Sequence, residues 1–286
     1  MIFDQAEYAL RCEWGPRGIE QLAGISHVLI VVDVLSFSTA VDIAVENGAV
    51  VFPYGNRDEG LETYARTRLA RIAEKVRTQS GFSLSPASLR AVPPEYRLVL
   101  PSPNGGALCL AGGTVGRRLC SAARTFTACL RNAGAVAAAA RQCGSTFAVV
   151  PAGERWPDGS LRPAIEDWIG AGAVLARLPG TPSPEAALAI AAFESYRSRC
   201  IDLSRSTHRN RDHSRFGERE GAELLSGSIL EQSISGKELI GRGFAEDVAL
   251  AAEFDASTTA PVLRDGAFVK WRVADTETVS PGPQWA

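Results

Sequence analysis

The sequence predicts a layered α/β/α fold, and three observations predict it. The run Val28–Val32 is apolar and β-branched, as a strand covered on both faces should be. Hydroxyl residues and an amphipathic run, Val41 to Asn47, follow it at once and close on Gly48. The same alternation of short apolar strand and helix recurs down the chain, which favours helices on both faces of a largely parallel sheet.

A chain of 286 residues is long enough for one large α/β domain or two closely joined halves. We read 1–270 as that domain and 271–286 as a C-terminal tail. A formal net charge of −2 and a pI near 6.0 create no global field for nucleic acid or an anionic membrane. The six cysteines include no CxxC pair, which favours inert thiols in a reducing compartment. His27, His208 and His213 have no ligand spacing. The N-terminus lacks a basic start with an apolar core, and the apolar run Ala133–Ala140 is too short to span a bilayer. A cytoplasmic protein is expected.

The elements follow in order. Tyr8 to Glu13 alternates as a strand, with Gly15-Pro16-Arg17-Gly18 as its turn. After Val28–Val32, Ser38 or Thr39 caps the first helix, and Val50 to Pro53 is the next parallel strand. Arg57 to Arg77 has helix-forming composition, and Thr78 to Pro94 reads as a surface excursion. Strands are expected at Arg97–Leu100, Thr125–Ala128 and Thr146–Val150, with helices from Arg131-Asn132, over Pro163–Leu178 and over Ser183–Arg199. The stretch Arg199 to Glu220 interleaves bases with acids, which favours a solvated segment over a nucleic-acid patch, with a lid over an anionic substrate as the weaker reading. Two short helices lie between Ser235 and Ala252, then a hairpin over Pro261–Val269 turns at Asp265-Gly266, and Ser280–Ala286 is loose.

Four segments place polar residues just after apolar strands: Asp33 to Thr39, Ser102 to Gly106, Arg131-Asn132 and Gly153 to Arg155. In parallel α/β units such ends share one edge of the sheet, where ligands bind. Asp33 is the anchor, because a strand leading into a carboxylate loses burial unless the charge is paired. Asn104-Gly105-Gly106 can bare amides toward an anion, although an ordinary turn is the simpler reading. Glu154-Arg155 offers a carboxylate and a planar cation suited to phosphate. Glu166-Asp167 precedes the close-packing run Gly170-Ala171-Gly172, so at least one acid is expected to turn inward. Hard oxygen donors without histidine or cysteine point to magnesium rather than zinc.

The blocks VVDVLSFSTAVDIAVENGA, SPNGG, RNAGAVA, PAGERWPDGSLRPAIEDWIGAGA and SGKELIGRGFAEDV, in this order, resemble those of the magnesium-dependent 2-phosphosulfolactate phosphatases, the ComB family. The resemblance runs from about Val28 to Val269. It implies a three-layer α/β/α fold with a mixed sheet, distinct from the haloacid dehalogenase phosphatases. It also implies hydrolysis of 2-phosphosulfolactate to sulfolactate and phosphate, a step in coenzyme M synthesis, with Mg2+ as cofactor. Two departures stand out. The family usually carries Arg where this chain has Ser36, in the pattern DVLRAST, and many members carry Cys where Pro151 stands, which excludes a thiol nucleophile there. The match also lapses between Arg77 and Pro94. Arg155 or Arg131 is the expected replacement for the missing grip on phosphate or sulfonate.

Phosphate-monoester hydrolysis needs up to ~10²¹-fold acceleration, whereas one preorganised donor supplies roughly 3–4 kcal/mol. A metal with several aligned donors is the minimum machinery. The expected roles are therefore Asp33 as magnesium ligand with Glu166 or Asp167 as the second carboxylate, and Glu154 as general base. Arg155 neutralises developing charge. Amides near Ser38-Thr39 and Asn104–Gly106 cradle the phosphoryl group, with Ser36, Arg131 and Asn132 completing the substrate rim. Asp33 as phosphoryl acceptor is the alternative. The expected partner is a small phosphorylated acid, with neither nucleic acid nor membrane. A phosphohydrolase or phosphotransferase acting on another small acid is the second reading, and a non-catalytic module for anionic metabolites the third. The small-residue run Ile169 to Ala176 packs either on its own sheet or on a second copy in a homo-oligomer.

Overall fold

Val28–Val32 forms β2, buried along its whole length. It pairs in parallel with β6 (Arg124–Ala128) on one side and β7 (Phe147–Pro151) on the other. The computed structural model describes residues 4–77, 81–118, 124–209 and 229–273. Alternation along β2 sorts its side chains between two cores. Val28, Ile30 and Val32 join the cluster beneath α5 (Ala133–Ala140) and α6 (Ile165–Leu175), while Leu29 and Val31 join the cluster of α1 (Gly15–Leu22), α2 (Phe37–Glu46) and α4 (Gly105–Arg118). Each such side chain contributes roughly 1.5–3 kcal/mol by leaving water, which is what fixes three layers.

The remaining strands are β1 (Leu10–Cys12), β3 (Val50–Tyr54), β4 (Arg71–Ile72), β5 (Arg97–Pro101), β10 (Pro261–Arg264) and β11 (Ala267–Lys270). Among the described residues nine strands form one sheet in the order β1–β7–β2–β6–β10–β11–β3–β5–β4. β1, β7, β2 and β6 are mutually parallel, as are β3, β5 and β4. The hairpin β10–β11 joins the two groups by antiparallel pairing to β6 and to β3. This is the expected mixed, largely parallel sheet. The groups run in opposite senses, so β3 is not the parallel neighbour of β2 that the crossover pattern predicts.

Other elements shift for local reasons. Gly15-Pro16-Arg17-Gly18 opens α1 instead of turning, because Pro16 in the first helical turn is pre-set for the helix. The helix predicted over Arg57–Arg77 shortens to α3 (Leu61–Thr67) and gives way to β4, with Leu69 at φ 50° just past its end. The described part of the Thr78–Pro94 excursion is docked: Ser83, Ser85 and Leu89 are buried, and Asp247 accepts from Ser85 Oγ (2.6 Å) and the Ala87 amide (3.0 Å).

Gly170 lies so close to Val32 and Val34, and Gly172 to the Ala189 carbonyl of α7 (Pro184–Arg209), that a methyl group fits at neither. The small-residue run therefore packs within its own chain. Helix α7 takes in the start of the Arg199–Glu220 stretch, and the rest of that stretch, 210–220, lies outside the described residues, as do Ser280–Ala286 and the tail from 274. Cys12, Cys109 and Cys129 are buried free thiols, and burial pushes Cys129 up to about 12. No helix among the described residues is long and apolar enough to cross a membrane.

Candidate active site

Asp33 is the first residue past β2 and is 6% exposed. A carboxylate buried to that degree must be hydrogen-bonded. The Phe37 amide at the start of α2 donates to Oδ1 (3.2 Å), and the Gly105 amide at the start of α4 donates to Oδ2 (2.8 Å). Burial, reinforced by Glu166, still pushes Asp33 up to about 6 against the pull of both amides and Arg77. A Cβ at Gly105 would stand 2.6 Å from Oδ2, so this position requires glycine. The Gly105 amide therefore holds the acid and is not bared to an anion, and Gly106 packs against the Tyr54 carbonyl.

Ser38 and Thr39 also depart from expectation. Both are fully buried. Ser38 Oγ accepts from the Asp33 amide (2.9 Å) and meets Thr127 Oγ1 (2.7 Å), while Thr39 Oγ1 donates to the Val34 carbonyl (2.7 Å). The Ser38 amide donates to the Asp33 carbonyl (2.8 Å). The strand-to-helix turn thus consumes these groups, and they fix Asp33 instead of touching a ligand.

A cavity of about 220 Å³ adjoins Asp33 and is lined also by Ser36, Arg77, Ser102, Asn104, Glu154 and Arg242. Glu154 lies in β8 (Glu154–Arg155), which pairs with β9 (Leu161–Arg162) in a small hairpin. Asn104 Nδ2 donates to Glu154 Oε2 at 2.8 Å. Burial, then the charge of Asp33, push Glu154 up to about 7, with the Asn104 bond pulling the other way. A neighbouring cavity of about 370 Å³ shares Asn104 and Glu154 with this one.

Behind the cavity, Glu166 and Asp167 open α6 and both face inward. Asp167 Oδ1 accepts from the Val34 amide (2.7 Å) and Oδ2 from the Gly153 amide (2.9 Å), clamping the turn after β2 to the turn after β7. Burial first, then Asp33 and Glu166, hold its pKa well above the usual carboxylate range. Asp167 sits behind the cavity lining with both oxygens taken by backbone amides, so in this structure it serves as a backbone clamp. Glu166 raises the pKa of both Asp33 and Glu154 through its charge. Among the described residues no three His, Cys, Asp or Glu side chains form an ion cage. Magnesium does not require one, since it keeps several waters and takes one or two carboxylates with substrate oxygens. Hard-oxygen carboxylates in and just behind the cavity fit such an ion, which Asp33 would hold, with Glu166 as supporting charge.

The other expected contacts lie elsewhere. Arg155 is exposed, donates to the Gly159 and Pro103 carbonyls, and lines the neighbouring cavity. Arg131 is buried with Asp42 (3.1 Å), Glu46 (3.7 Å) and Glu253, a structural knot away from the cavity. Asn132 Oδ1 accepts from the Cys129 amide (2.9 Å), closing the turn after β6. Among the described residues the cations that line the cavity are Arg77 and Arg242, neither of which the sequence reading singled out. Arg77 sits where the family resemblance lapses, so nothing marked it, whereas Arg242 lies inside the block SGKELIGRGFAEDV and was open to notice.

No curated protein sequence matches the chain. A family model described as 2-phosphosulpholactate phosphatase matches residues 16–266, spanning Asp33, the Asn104–Gly106 turn, Glu154 and Arg242. The chain belongs to that family of phosphoric monoester hydrolases.

Proposed function

We propose that this protein is a magnesium-dependent phosphatase that hydrolyses 2-phosphosulfolactate to sulfolactate and phosphate. The observation that carries the reading is one small cavity holding a buried carboxyl, Asp33, and a half-buried one, Glu154, pushed up to about 6 and about 7. A volume of about 220 Å³ is below the ~300–1,000 Å³ of pockets for drug-sized ligands, which suits a three-carbon acid.

Glu154 suits the general base, because a carboxylate with a pKa near neutrality is a stronger proton acceptor than an ordinary one and is still about half ionised near pH 7. Its bond to Asn104 fixes one oxygen and orients the other. Asp33, held by two backbone amides, is rigid enough to position an ion or a reacting group within a fraction of an ångström. A bound magnesium ion would supply charge neutralisation on the phosphoryl oxygens. Arg77 and Arg242 supply fixed positive charge to the same cavity.

Phosphate release from 2-phosphosulfolactate, with magnesium and with chelator, tests the reading. Turnover that requires the metal, and that Asp33→Asn abolishes without lowering the thermal midpoint, supports it. No release from any small phosphorylated acid in the presence of magnesium would overturn it.

A further inference from the structure

Arg77 is held as few cavity residues are. Its Nη1 pairs with Asp247 Oδ2 at 2.7 Å, and its Nη2 donates to Ser36 Oγ at 3.0 Å. The guanidinium lies over the Phe244 ring at 5.6 Å, and the side chain is 11% exposed. Asp247 is fixed in turn by Ser85 Oγ and the Ala87 amide. A guanidinium has five N–H donors, and these two contacts with described residues use one on Nη1 and one on Nη2, so among the described residues a rigid fork that lines the cavity keeps donors for a ligand. Arg242 lines the same cavity from the end of α8 (Ile234–Gly241), where its partner Glu238 is itself exposed.

Acids and arginines in one small cavity suit a ligand with a phosphoryl group and at least one further anionic group. The carboxylates Asp33 and Glu154 repel a bare phosphoryl group and need a cation between them and it. Arg77 needs no such intermediary, and its planar fork matches a carboxylate or sulfonate. We propose that Arg77 determines specificity by binding an oxyanion of the substrate that is not transferred, its carboxylate or its sulfonate, with Arg242 adding charge beside it. This rests on the phosphatase reading above and extends it to the class of substrate: small phosphate monoesters that carry a second anion.

The test compares wild type with Arg77→Gln on three phosphate esters: isopropyl phosphate with no second anion, 2-phospholactate with a carboxylate, and 2-phosphoethanesulfonate with a sulfonate. The expected result is a KM raised about 10- to 100-fold for one or both acid-bearing esters, the loss of hydrogen bonds to a charged group, with kcat and the isopropyl phosphate KM little changed. Whichever ester suffers identifies the oxyanion. Equal losses on all three would place Arg77 on the phosphoryl group and overturn the proposal, as would no change on any. Where Arg77→Gln does not fold, Ser36→Asp serves: it keeps the Arg77–Asp247 pair and sets a competing carboxylate beside Nη2, with the same losses expected. Calorimetric binding of sulfolactate, which carries no phosphoryl group, separates the two claims. If wild type releases no phosphate yet binds sulfolactate and Arg77→Gln does not, the phosphatase reading fails and the Arg77 assignment stands.

Discussion

The Gly105 amide donates to Asp33 Oδ2 at 2.8 Å across 72 residues of sequence, and it does so only because position 105 has no side chain. The start of α4 is thereby welded to the end of β2, in halves of the sheet that run in opposite senses. Gly105→Ala must push the carboxylate away or lose the bond. We expect it to cost about 10²-fold in kcat/KM, the scale of a 1 Å misplacement, and about 1–3 kcal/mol of stability from overpacking. Steady-state kinetics and urea unfolding check both. Wild-type kinetics in this variant would show that Asp33 need not be held so.

The Asn104–Glu154 bond gives a pH signature. A donor to the ionised carboxylate stabilises the charged form, so removing it raises the Glu154 pKa further above its present value near 7. A general base is inactive when protonated, so kcat/KM falls on the acid side of that pKa. In Asn104→Ala that limb should move to higher pH by about one to two units, from a hydrogen bond to charge worth ~1.5–3 kcal/mol and 1.36 kcal/mol per unit. A bound divalent cation lowers the limb in both proteins, but the sign of the difference is unchanged. A limb that moves to lower pH, or stays put, would remove Glu154 from the role of base.

Carboxyls raised by burial also couple stability to pH and metal. In the unfolded chain Asp33 and Glu154 titrate at 3.8 and 4.5, and in the fold at about 6 and about 7. Between those values the folded protein binds more protons than the unfolded one, so stability falls as pH rises through the window. The loss is on the order of 3 kcal/mol per group once both are ionised. Magnesium binds the ionised form, so its stabilising effect should be small at pH 5 and large at pH 8. Thermal midpoints of chelator-treated protein, with and without added magnesium at the two pH values, measure this. A metal-induced shift as large at pH 5 as at pH 8 would mean that Asp33 does not hold the ion.

What was legible in the sequence follows the range of the interactions concerned. Val28–Val32 declares itself through local pattern, and the Asp265-Gly266 turn marks its hairpin, because period and turn chemistry are short-range. Asp33 was found by the same logic, as a charge at the end of a buried strand. The direction of Ser38 and Thr39 was not, since a hydroxyl beside a helix start serves a ligand or a backbone turn equally well. Arg155 and Arg131 were chosen by position after strands, a sound guide to an edge of the sheet. Whether a guanidinium turns to the cavity, to Pro103 or to Asp42 is decided by partners up to 122 residues away. Arg77 reaches the cavity from a segment where composition suggested the end of a solvated helix, and only the docking of Ser85 and Ala87 on Asp247 puts it there.

The adjacent acids of α6 offer a direct contrast. Asp167 accepts from the Val34 and Gly153 amides, so Asp167→Ala strands two buried donors, at about 1–3 kcal/mol each. It should unfold at markedly lower urea and lose activity with the fold. Glu166 acts on Asp33 and Glu154 through its charge, so Glu166→Gln removes repulsion and should leave chelator-treated protein at least as stable as wild type. Its cost should appear instead as weaker magnesium binding, read by titrating the metal against the thermal midpoint. The reverse pattern, a stable Asp167→Ala with weakened metal binding, would return Asp167 to the metal and make Glu166 the structural member of the pair.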